Sequence, residues 1–201
     1  MQKIFRGIIH FHSNFSFDSN ITVGELISFA EEYDINFFAL TDHDTIEGSL
    51  ALKREVERKK ANIEVIIGAE YYTNIGDVIA LFITKEIKKY YNFYDLVKDV
   101  KEQDGLIFLP HPYRWHTNLD EIVSFIDRIE IFNISHSDEL DRKAAIFANK
   151  YNKNVYYGND AHSIEDLPNS IVEISGNVSL KESLKNGDMK QIRKKRMIRY
   201  E

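Results

Sequence analysis

Short runs of apolar residues recur along the chain, and segments of helical periodicity separate most of them. The runs have the length of strands and cover residues 4–9, 37–40, 65–67, 78–83, 106–109, 129–132, 155–157 and 171–174. Strands that alternate with amphipathic helices are typical of an α/β fold with a largely parallel sheet. The runs 65–67 and 78–83 are an exception, because the ten residues between them are too few for a crossover helix. We predict a hairpin for this pair.

Two helices are marked by apolar stripes. Thr22 and Glu25 have the spacing of a capping box, which predicts the start of the first helix. The apolar residues on one face of this helix are Val23, Leu26, Ile27, Ala30 and Tyr33. The second stripe consists of Leu140, Ala144, Phe147, Ala148 and Tyr151. Both stripes have the spacing of amphipathic helices.

Composition fits a single domain with an ordinary core. The chain has 201 residues, of which 43% are hydrophobic and 29% charged, and no linker-like stretch interrupts it, so we expect one domain over residues 1–201. The formal net charge of −6 disfavours general binding to nucleic acid. The absence of cysteine excludes thiolate metal sites and cysteine nucleophiles. Without a membrane-length apolar run or a signal-like N-terminus, we expect a cytoplasmic protein that does not contact membranes.

The C-terminal segment, about residues 188–201, is basic. Six of its lysines and arginines lie between positions 190 and 199. Such a run most often forms a solvated helix or tail. The amphipathic helix patterns are the same for water-facing and partner-facing helices, so they predict no oligomeric state.

Histidines and acids follow the ends of the apolar runs. The polar residues at these positions are His10, His12, Asp42, His43, Asp44, Glu70, His111, Glu130, Asn133, Asn159, Asp160 and His162. In a parallel α/β barrel the carboxyl ends of the strands open on one face, so we expect these segments to meet in space. Imidazole and carboxylate ligands together suit divalent ions such as Zn, Mn, Fe and Mg. The pattern therefore predicts a metal cluster.

Single parts of this pattern also have simpler explanations. On an extended strand, His10 and His12 would place both imidazoles on one side, where they can bind the same ion. One such pair also arises by chance in a chain with seven histidines. Asp44 precedes a helical segment and can be the N-cap of that helix instead of a site residue.

Six ordered motifs between residues 10 and 162 resemble those of the PHP (polymerase and histidinol phosphatase) family of metal-dependent phosphoesterases. The motifs are His10-Phe11-His12-Ser13 with Asp18, Thr41-Asp42-His43-Asp44, the turn Gly68-Ala69-Glu70, Leu109-Pro110-His111-Pro112-Tyr113-Arg114, Ile129-Glu130-Ile131-Phe132-Asn133 and Gly158-Asn159-Asp160-Ala161-His162. The resemblance implies an α/β fold that is a distorted seven-stranded (β/α) barrel with two or three divalent metal ions. The ligands it implies, with Glu70 as a bridge between ions, are His10, His12, Asp18, His43, Glu70, His111, Asp160 and His162.

Two positions depart from the family pattern. Many members carry an aspartate two residues before the first histidine, where this chain has Ile8. We expect its loss to loosen the orientation of the ligands. Many members with three ions also supply a histidine from the strand after the glutamate motif, near the position of Ile79. One ion is therefore expected to be missing, weakly bound or held by water.

The chemistry that the resemblance implies is hydrolysis of a small phosphate ester, of the nucleotide or sugar phosphate type, by a metal-activated hydroxide. Arg114 closely follows His111 and is predicted to bind the phosphate and to act in catalysis. Its simpler alternative is a surface ion pair with Asp120 or Glu121. Asp44 is predicted to protonate the leaving group if it is not a helix cap.

Two other classes of function stay open. Amidohydrolase-like barrels also begin with a His-x-His pair, but they often use a bridging carboxylated lysine, and Lys85, the nearest case here, is wrongly placed for that role. A noncatalytic accessory metal-binding module is favoured by the two departures and disfavoured by the otherwise intact ligand set. His116 and His136 fit no motif and are expected to be exposed in loops. Four aromatic residues follow ligand segments, namely Tyr71, Tyr72, Tyr113 and Trp115. They can line a substrate pocket or pack in the core or at its rim.

Overall fold

The computed structural model describes residues 3–88, 92–176 and 179–194, and these residues form ten strands and six helices. The strands are β1 (Lys3–Ile9), β2 (Phe37–Ala39), β3 (Glu64–Ile66), β4 (Gly68–Thr73), β5 (Gly76–Leu81), β6 (Leu106–Leu109), β7 (Arg128–Phe132), β8 (Asn154–Tyr157), β9 (Ser170–Gly176) and β10 (Met189–Lys194). The helices are α1 (Val23–Tyr33), α2 (Glu47–Lys59), α3 (Phe93–Glu102), α4 (Leu119–Ile122), α5 (Asp138–Lys150) and α6 (Leu180–Asn186). All eight predicted apolar runs overlap a strand, which confirms the α/β class.

The strands pair into two five-stranded sheets, in the orders β10-β9-β1-β2-β3 and β4-β5-β6-β7-β8. The seven-stranded barrel is not confirmed, because no continuous ladder among the described strands joins the two sheets. Isolated parallel bridges do connect them at one end, between Phe11 and Ala161 and between His43 and Glu70. The segments that leave the strands at this end are therefore held close together.

The predicted hairpin is present but begins one strand later than expected. The run 65–67 lies mainly in β3, which pairs in parallel with β2. The residues expected to form a turn instead form β4, and β4 pairs antiparallel with β5 through a tight connection at Asn74 and Ile75. Glu70 therefore sits within a strand, where it faces Ile79 across the ladder. Its side chain gains a rigid support that a turn would not provide.

The core is layered. Inward-facing residues of both sheets, including Phe5, Phe37, Ile79 and Phe108, form one cluster between the sheets. Outward-facing residues of the same strands form two further clusters, one under α1 and α2 and the other under α3 and α5. The cluster between the sheets is apolar. Buried polar residues lie next to it, mostly at the ends of the strands.

The local signals of the helices are confirmed, whereas the C-terminal prediction is not. Thr22 and Glu25 form both hydrogen bonds of the capping box at the start of α1. Residues 189–194 form the edge strand β10, paired with β9, instead of a solvated helix or tail. Most side chains of this exposed edge strand are charged or polar, so the sequence lacks the alternation of apolar and polar residues that predicts a strand. The rest of the basic segment, residues 195–201, lies outside the described residues.

Candidate metal centre

His10 and His12 converge although they do not lie on an extended strand. β1 ends at Ile9, and His10 has a left-handed φ of 63°, so the alternation expected from sequence does not apply here. Both imidazoles are fully buried. Their Nε2 atoms lie 3.4 and 3.3 Å from Glu70 Oε2, and each lies 3.4 Å from Asp160 Oδ1. A turn at His10 thus aims two side chains at the same pair of carboxylates.

The predicted ligands form three overlapping groups in which the ligand atoms lie within 4.8 Å of one another. Two of these, which we call the inner groups, are His10–His12–Asp160 and His10–Glu70–His111. The third, the outer group, is His12–Asp18–His43–His162. The groups share members and together include all eight predicted residues. Their role as ligands remains a prediction that this proximity supports.

The inner and outer groups differ in exposure. Glu70, His111 and Asp160 are at most 4% exposed. In the outer group, the Asp18 side chain is 28% exposed, and its Oδ2 lies 3.3 Å from His43 Nε2 and 3.1 Å from His162 Nε2. The outer group is therefore open to solvent, whereas the inner groups are enclosed.

Glu130 is the main residue of the centre that sequence reasoning left without a role. Its Oε1 lies 2.8 Å from His10 Nδ1, and its Oε2 accepts a hydrogen bond from the His111 backbone N–H at 2.6 Å. Asn133 Nδ2 donates to Glu130 Oε2 and to Asp160 Oδ2, both at 3.1 Å. A Cβ at Gly158 would lie 1.6 Å from Glu130 Oε1, so glycine leaves the space that this carboxylate occupies.

These contacts bear on the expectation attached to Ile8, which stays a prediction. Ile8 is fully buried in the core under α1 and α2 and has no polar group that could orient His10. A carboxylate bonded to Nδ1 fixes the ring and directs Nε2 towards the centre. Glu130 supplies this contact from β7. A glutamate within the apolar run of β7 and an asparagine, Asn133, directly after it were the available signal in the sequence.

The electrostatics of the metal-free centre are those of buried opposite charges. Burial opposes a charge on His10, but the carboxylates of Glu130, Glu70 and Asp160 outweigh this effect and raise the pKa of His10 well above its usual value. For His12 the same balance of burial against Asp160 and Glu70 raises the pKa to about 9. Burial likewise opposes the charges of Glu70 and Asp160, yet the facing histidines hold both pKa values well below the usual range.

The donor set fits divalent cations. The buried Nε2 atoms of His10 and His12 have no hydrogen-bond partner among the described residues, although both face carboxylate oxygens. Unsatisfied buried nitrogen atoms are costly in a folded protein. Mixed imidazole and carboxylate ligands are the types that Zn, Mn and Fe accept. A cation would satisfy these nitrogens and neutralise the carboxylates together.

Arg114 and Asp44 lie at the edge of the centre. Arg114 Nη1 donates to Asp160 Oδ2 at 3.0 Å, so it pairs with a predicted ligand and not with Asp120 or Glu121. Asp44 is not the cap of α2, because the N-cap position is Ile46 and no side chain caps it. Asp44 has a left-handed φ of 54°. Its Oδ1 accepts a hydrogen bond from the Tyr72 backbone N–H at 3.4 Å.

The strand after Glu70, β5, has no histidine but carries an acid near the centre. Ile79 is fully buried in the core between the sheets. Two residues before it, Asp77 places Oδ2 4.0 Å from His111 Nε2. Burial and the nearby Glu70 carboxylate raise the pKa of Asp77. Asp77 was not among the predicted site residues, because no motif included it.

Two histidines expected to be exposed are not. His136 is 8% exposed, and its ring centroid lies 6.1 Å from that of His111. His116 is half-buried, and its Nε2–H donates to the Asp77 carbonyl oxygen at 2.6 Å. Burial and the neighbouring His111 lower the pKa of His116 to about 4, so its imidazole is neutral at physiological pH. The His116 ring centroid likewise lies 5.8 Å from that of His111, so both rings are neighbours of this predicted ligand.

Comparison with known proteins agrees with this geometry. The sequence profile of the PHP domain matches residues 9–194. The chain belongs to the PHP domain family. A relative of this PHP chain, the uncharacterized protein MJ1587 of Methanocaldococcus jannaschii, is 33% identical over 124 residues, which cover 60% of this chain and 71% of the relative.

Solved structures share the fold of this PHP chain at low sequence identity. A two-domain protein from Bacteroides vulgatus that contains a predicted PHP-like metal-dependent phosphoesterase matches with a TM-score of 0.78 and 17% identity. The match covers 96% of this chain and 66% of the other. An amidohydrolase from Chromobacterium violaceum with bound sulfate and no metal matches with a TM-score of 0.66 and 18% identity, over 80% of this chain and 89% of the other. Identities this low establish the fold alone. No helix in the described parts of the chain is long and apolar enough to cross a membrane.

Proposed function

We propose that this PHP domain is a metal-dependent phosphoesterase that hydrolyses a small phosphate ester of the nucleotide or sugar phosphate type. The observation that carries the proposal is the overlap of the three ligand groups at His10 and His12, which would hold ions side by side. Two or three ions of the Mn, Zn, Fe or Mg kind, when bound, would activate water for attack on phosphorus and neutralise the phosphate oxygens. We infer one domain for residues 1–201 and a cytoplasmic location on the sequence arguments alone.

Arg114 is the proposed phosphate-binding and catalytic residue. Its guanidinium is held at the inner groups by the 3.0 Å bond to Asp160, while its side chain is 35% exposed. A planar guanidinium in this position has further N–H groups for the oxygens of an incoming phosphate. The bond to Asp160 fixes the orientation of the donor before substrate arrives, which reduces the entropy lost on binding.

Asp44 is the proposed proton donor to the leaving oxygen. It follows His43 of the outer group, is half-buried and is not used as a helix cap. A carboxyl group at the rim of the centre can reach the leaving side of a phosphate that Arg114 and the ligand groups hold. Its contact with the Tyr72 backbone limits its movement.

Aromatic side chains around the centre favour a nucleotide over a sugar phosphate. Nine large hydrophobic side chains are exposed among the described residues. Five of them lie in segments that carry predicted ligands, namely Phe15, Phe17, Tyr72, Tyr113 and Trp115. Phe17 is 91% exposed, and its ring stacks at 5.7 Å from that of His43. Exposed aromatic rings beside a phosphate site can stack on a base. Tyr71, in contrast, is buried in the core.

The test is hydrolysis by the full chain after metal removal and reloading with Mn. We expect chelator-sensitive cleavage of p-nitrophenyl phosphate or of bis-p-nitrophenyl phosphate, and the preferred reporter will separate a monoesterase from a diesterase. A panel of nucleoside monophosphates and sugar phosphates then tests the role of the aromatic rim. Bound Mn without cleavage of any phosphate ester would refute this proposal.

That last result would favour an amidohydrolase or an accessory metal-binding module. The amidohydrolase neighbour supports the first only through its fold. Lys85, the lysine that the sequence offered for this role, is exposed, and its backbone N–H donates to Gln103 Oε1 at 2.9 Å. It is therefore unsuited to bridge two buried ions, and the phosphoesterase remains the better-supported function.

A further inference from the structure

The inner group formed by His10, Glu70 and His111 has an incomplete side. It offers three ligands, whereas a divalent ion in a protein site usually takes four or more. β5 borders this group, since Ile79 lies directly opposite Glu70 in the ladder. An isoleucine has no donor atom, and this one is committed to the core between the sheets.

Asp77 lies on the same side of β5. Side chains two residues apart on a strand point to one face, so Asp77 shares the inward side with Ile79. It lies two pairs along the ladder from Ile79, opposite the exposed Tyr72. Its carboxylate is 4.0 Å from His111 Nε2, and its side chain is 18% exposed. The nearest oxygen donor that β5 offers to this group is therefore the Asp77 carboxylate.

The backbone of Asp77 is fixed from the far side. His116 Nε2–H donates to the Asp77 carbonyl oxygen at 2.6 Å, and the His116 ring packs against Gly76. A Cβ at Gly76 would lie 2.5 Å from His116 Cδ2, and the φ of Gly76 is +121°. The loop that begins at His111 thus contacts Gly76 and Asp77, the first two residues of β5, through His116. This contact keeps Asp77 and His111 together.

The surroundings of the Asp77 carboxylate favour a bound cation. The charged groups that act most strongly on it are Glu70, which repels it, and the histidines His111, His43 and His10. The described residues show no hydrogen-bond donor to its side chain and no lysine or arginine paired with it. Two carboxylates that face the same imidazoles without a permanent cation are the arrangement expected of ligands to a shared divalent ion.

We propose that Asp77 is a further ligand of the ion held by His10, Glu70 and His111, and that it fills the place that Ile79 leaves without a donor. The inference rests on the metal centre of the proposed function but not on its reaction. It predicts that Ile79 does not prevent the group His10–Glu70–His111 from binding an ion. The missing ligand comes from a carboxylate that no sequence motif indicates.

The test is Mn²⁺ binding by the full chain, measured as stoichiometry and affinity by equilibrium dialysis with elemental analysis. Asp77→Asn keeps the shape of the side chain and removes its charge, and Asp95→Asn makes the same change at an exposed position of α3. We expect Asp77→Asn to weaken one Mn²⁺ by at least about tenfold, the lower end of the loss seen even for indirect metal contacts, with Asp95→Asn unchanged. Equal binding by both variants would overturn the assignment.

Anomalous diffraction from Mn²⁺-soaked crystals of the unaltered chain tests the same point without a variant. We expect a peak bonded to Glu70 and His111, with an Asp77 oxygen at about 2.0–2.5 Å. A peak there with Asp77 out of reach would refute the proposal, as would a chain that binds no Mn²⁺. A chain that binds Mn²⁺ through Asp77 yet cleaves no phosphate ester would refute only the proposed function.

Discussion

The inner groups and the outer group use the same residue types in different surroundings. Glu70 and Asp160 of the inner groups are at most 4% exposed, whereas the Asp18 and His43 side chains of the outer group are 28% and 29% exposed. Buried charges interact strongly and are costly when left unpaired, while exposed ones are screened by water. From this comparison we expect ions bound at the inner groups to contribute to stability, and an ion bound at the outer group to exchange more readily.

The largest expected effect follows from removing the imidazole shared by both inner groups. His10→Ala should abolish turnover and the binding of the inner ions. It also removes one buried partner from each of the Glu70, Glu130 and Asp160 carboxylates, so we expect a loss of about 3–5 kcal/mol in stability. Activity assays, elemental analysis and denaturant unfolding measure the three effects. Full activity with unchanged metal content would refute the centre, and Asp160→Ala provides an independent repeat.

A smaller loss of metal affinity is expected for Glu130, which acts on the metal centre only through the predicted ligands that it contacts. Glu130→Ala removes the acceptor for His10 Nδ1 and for the His111 backbone N–H. We expect Mn affinity to fall by about 10–100-fold at the inner groups. Isothermal titration of the variant against Glu57→Ala, an exposed glutamate of α2, measures this loss. An inner affinity equal to that of the control would mean that Glu130 has no positioning role.

The outer group gives the contrasting result. Asp18→Asn should weaken a single ion by about tenfold or more, since it removes one ligand, and should leave the inner ions and the unfolding transition almost unchanged. Competition with a chelating dye separates weak from tight ions in the same sample. Loss of the tight ions in this variant would erase the distinction between the two kinds of group.

How far these groups were predictable from sequence depends on what each residue touches. Seven of the eight candidate ligands come shortly after apolar runs, so their positions relative to strand ends are visible in the chain, whereas Asp18 is indicated only by the family resemblance. Glu130 lies within such a run, but its role depends on a 2.8 Å contact with His10, which is 120 residues away. Asp77 lies at the start of β5, where a turn was expected and where no motif marks an acid.

The fold shows the same division between local and distant information. The capping box of α1 needs only Thr22 and Glu25, and it is confirmed. The hairpin was assigned to the wrong first strand, because the choice between β3 and β4 depends on pairing with β2 and β5 in separate sheets. β10 was missed because its stability comes from the ladder with β9 and not from its own polar sequence.

A substitution of Arg114 separates effects on metal binding from effects on substrate binding. Its contact with Asp160 is through one N–H group, and the ligand geometry of the inner groups does not include it. Arg114→Ala should raise KM by about tenfold, equivalent to about 1.4 kcal/mol, with metal content unchanged. Steady-state kinetics and elemental analysis on one preparation check both. Loss of metal would place Arg114 within the centre and not at its edge.

The smallest expected effect is a pH dependence that differs between the metal-free and loaded chain. The pKa of His12 rises from 6.5 to about 9 on folding of the metal-free chain. Protonation of His12 therefore stabilises this form fully below about 6.5, and the contribution is lost as the pH rises through about 9. In this window the melting temperature of the chelated protein should fall by several degrees. The Mn-loaded protein should show no such fall, because metal binding requires neutral imidazoles and gains from their deprotonation. Parallel curves for the two forms would show that the inner histidines do not exchange protons for metal.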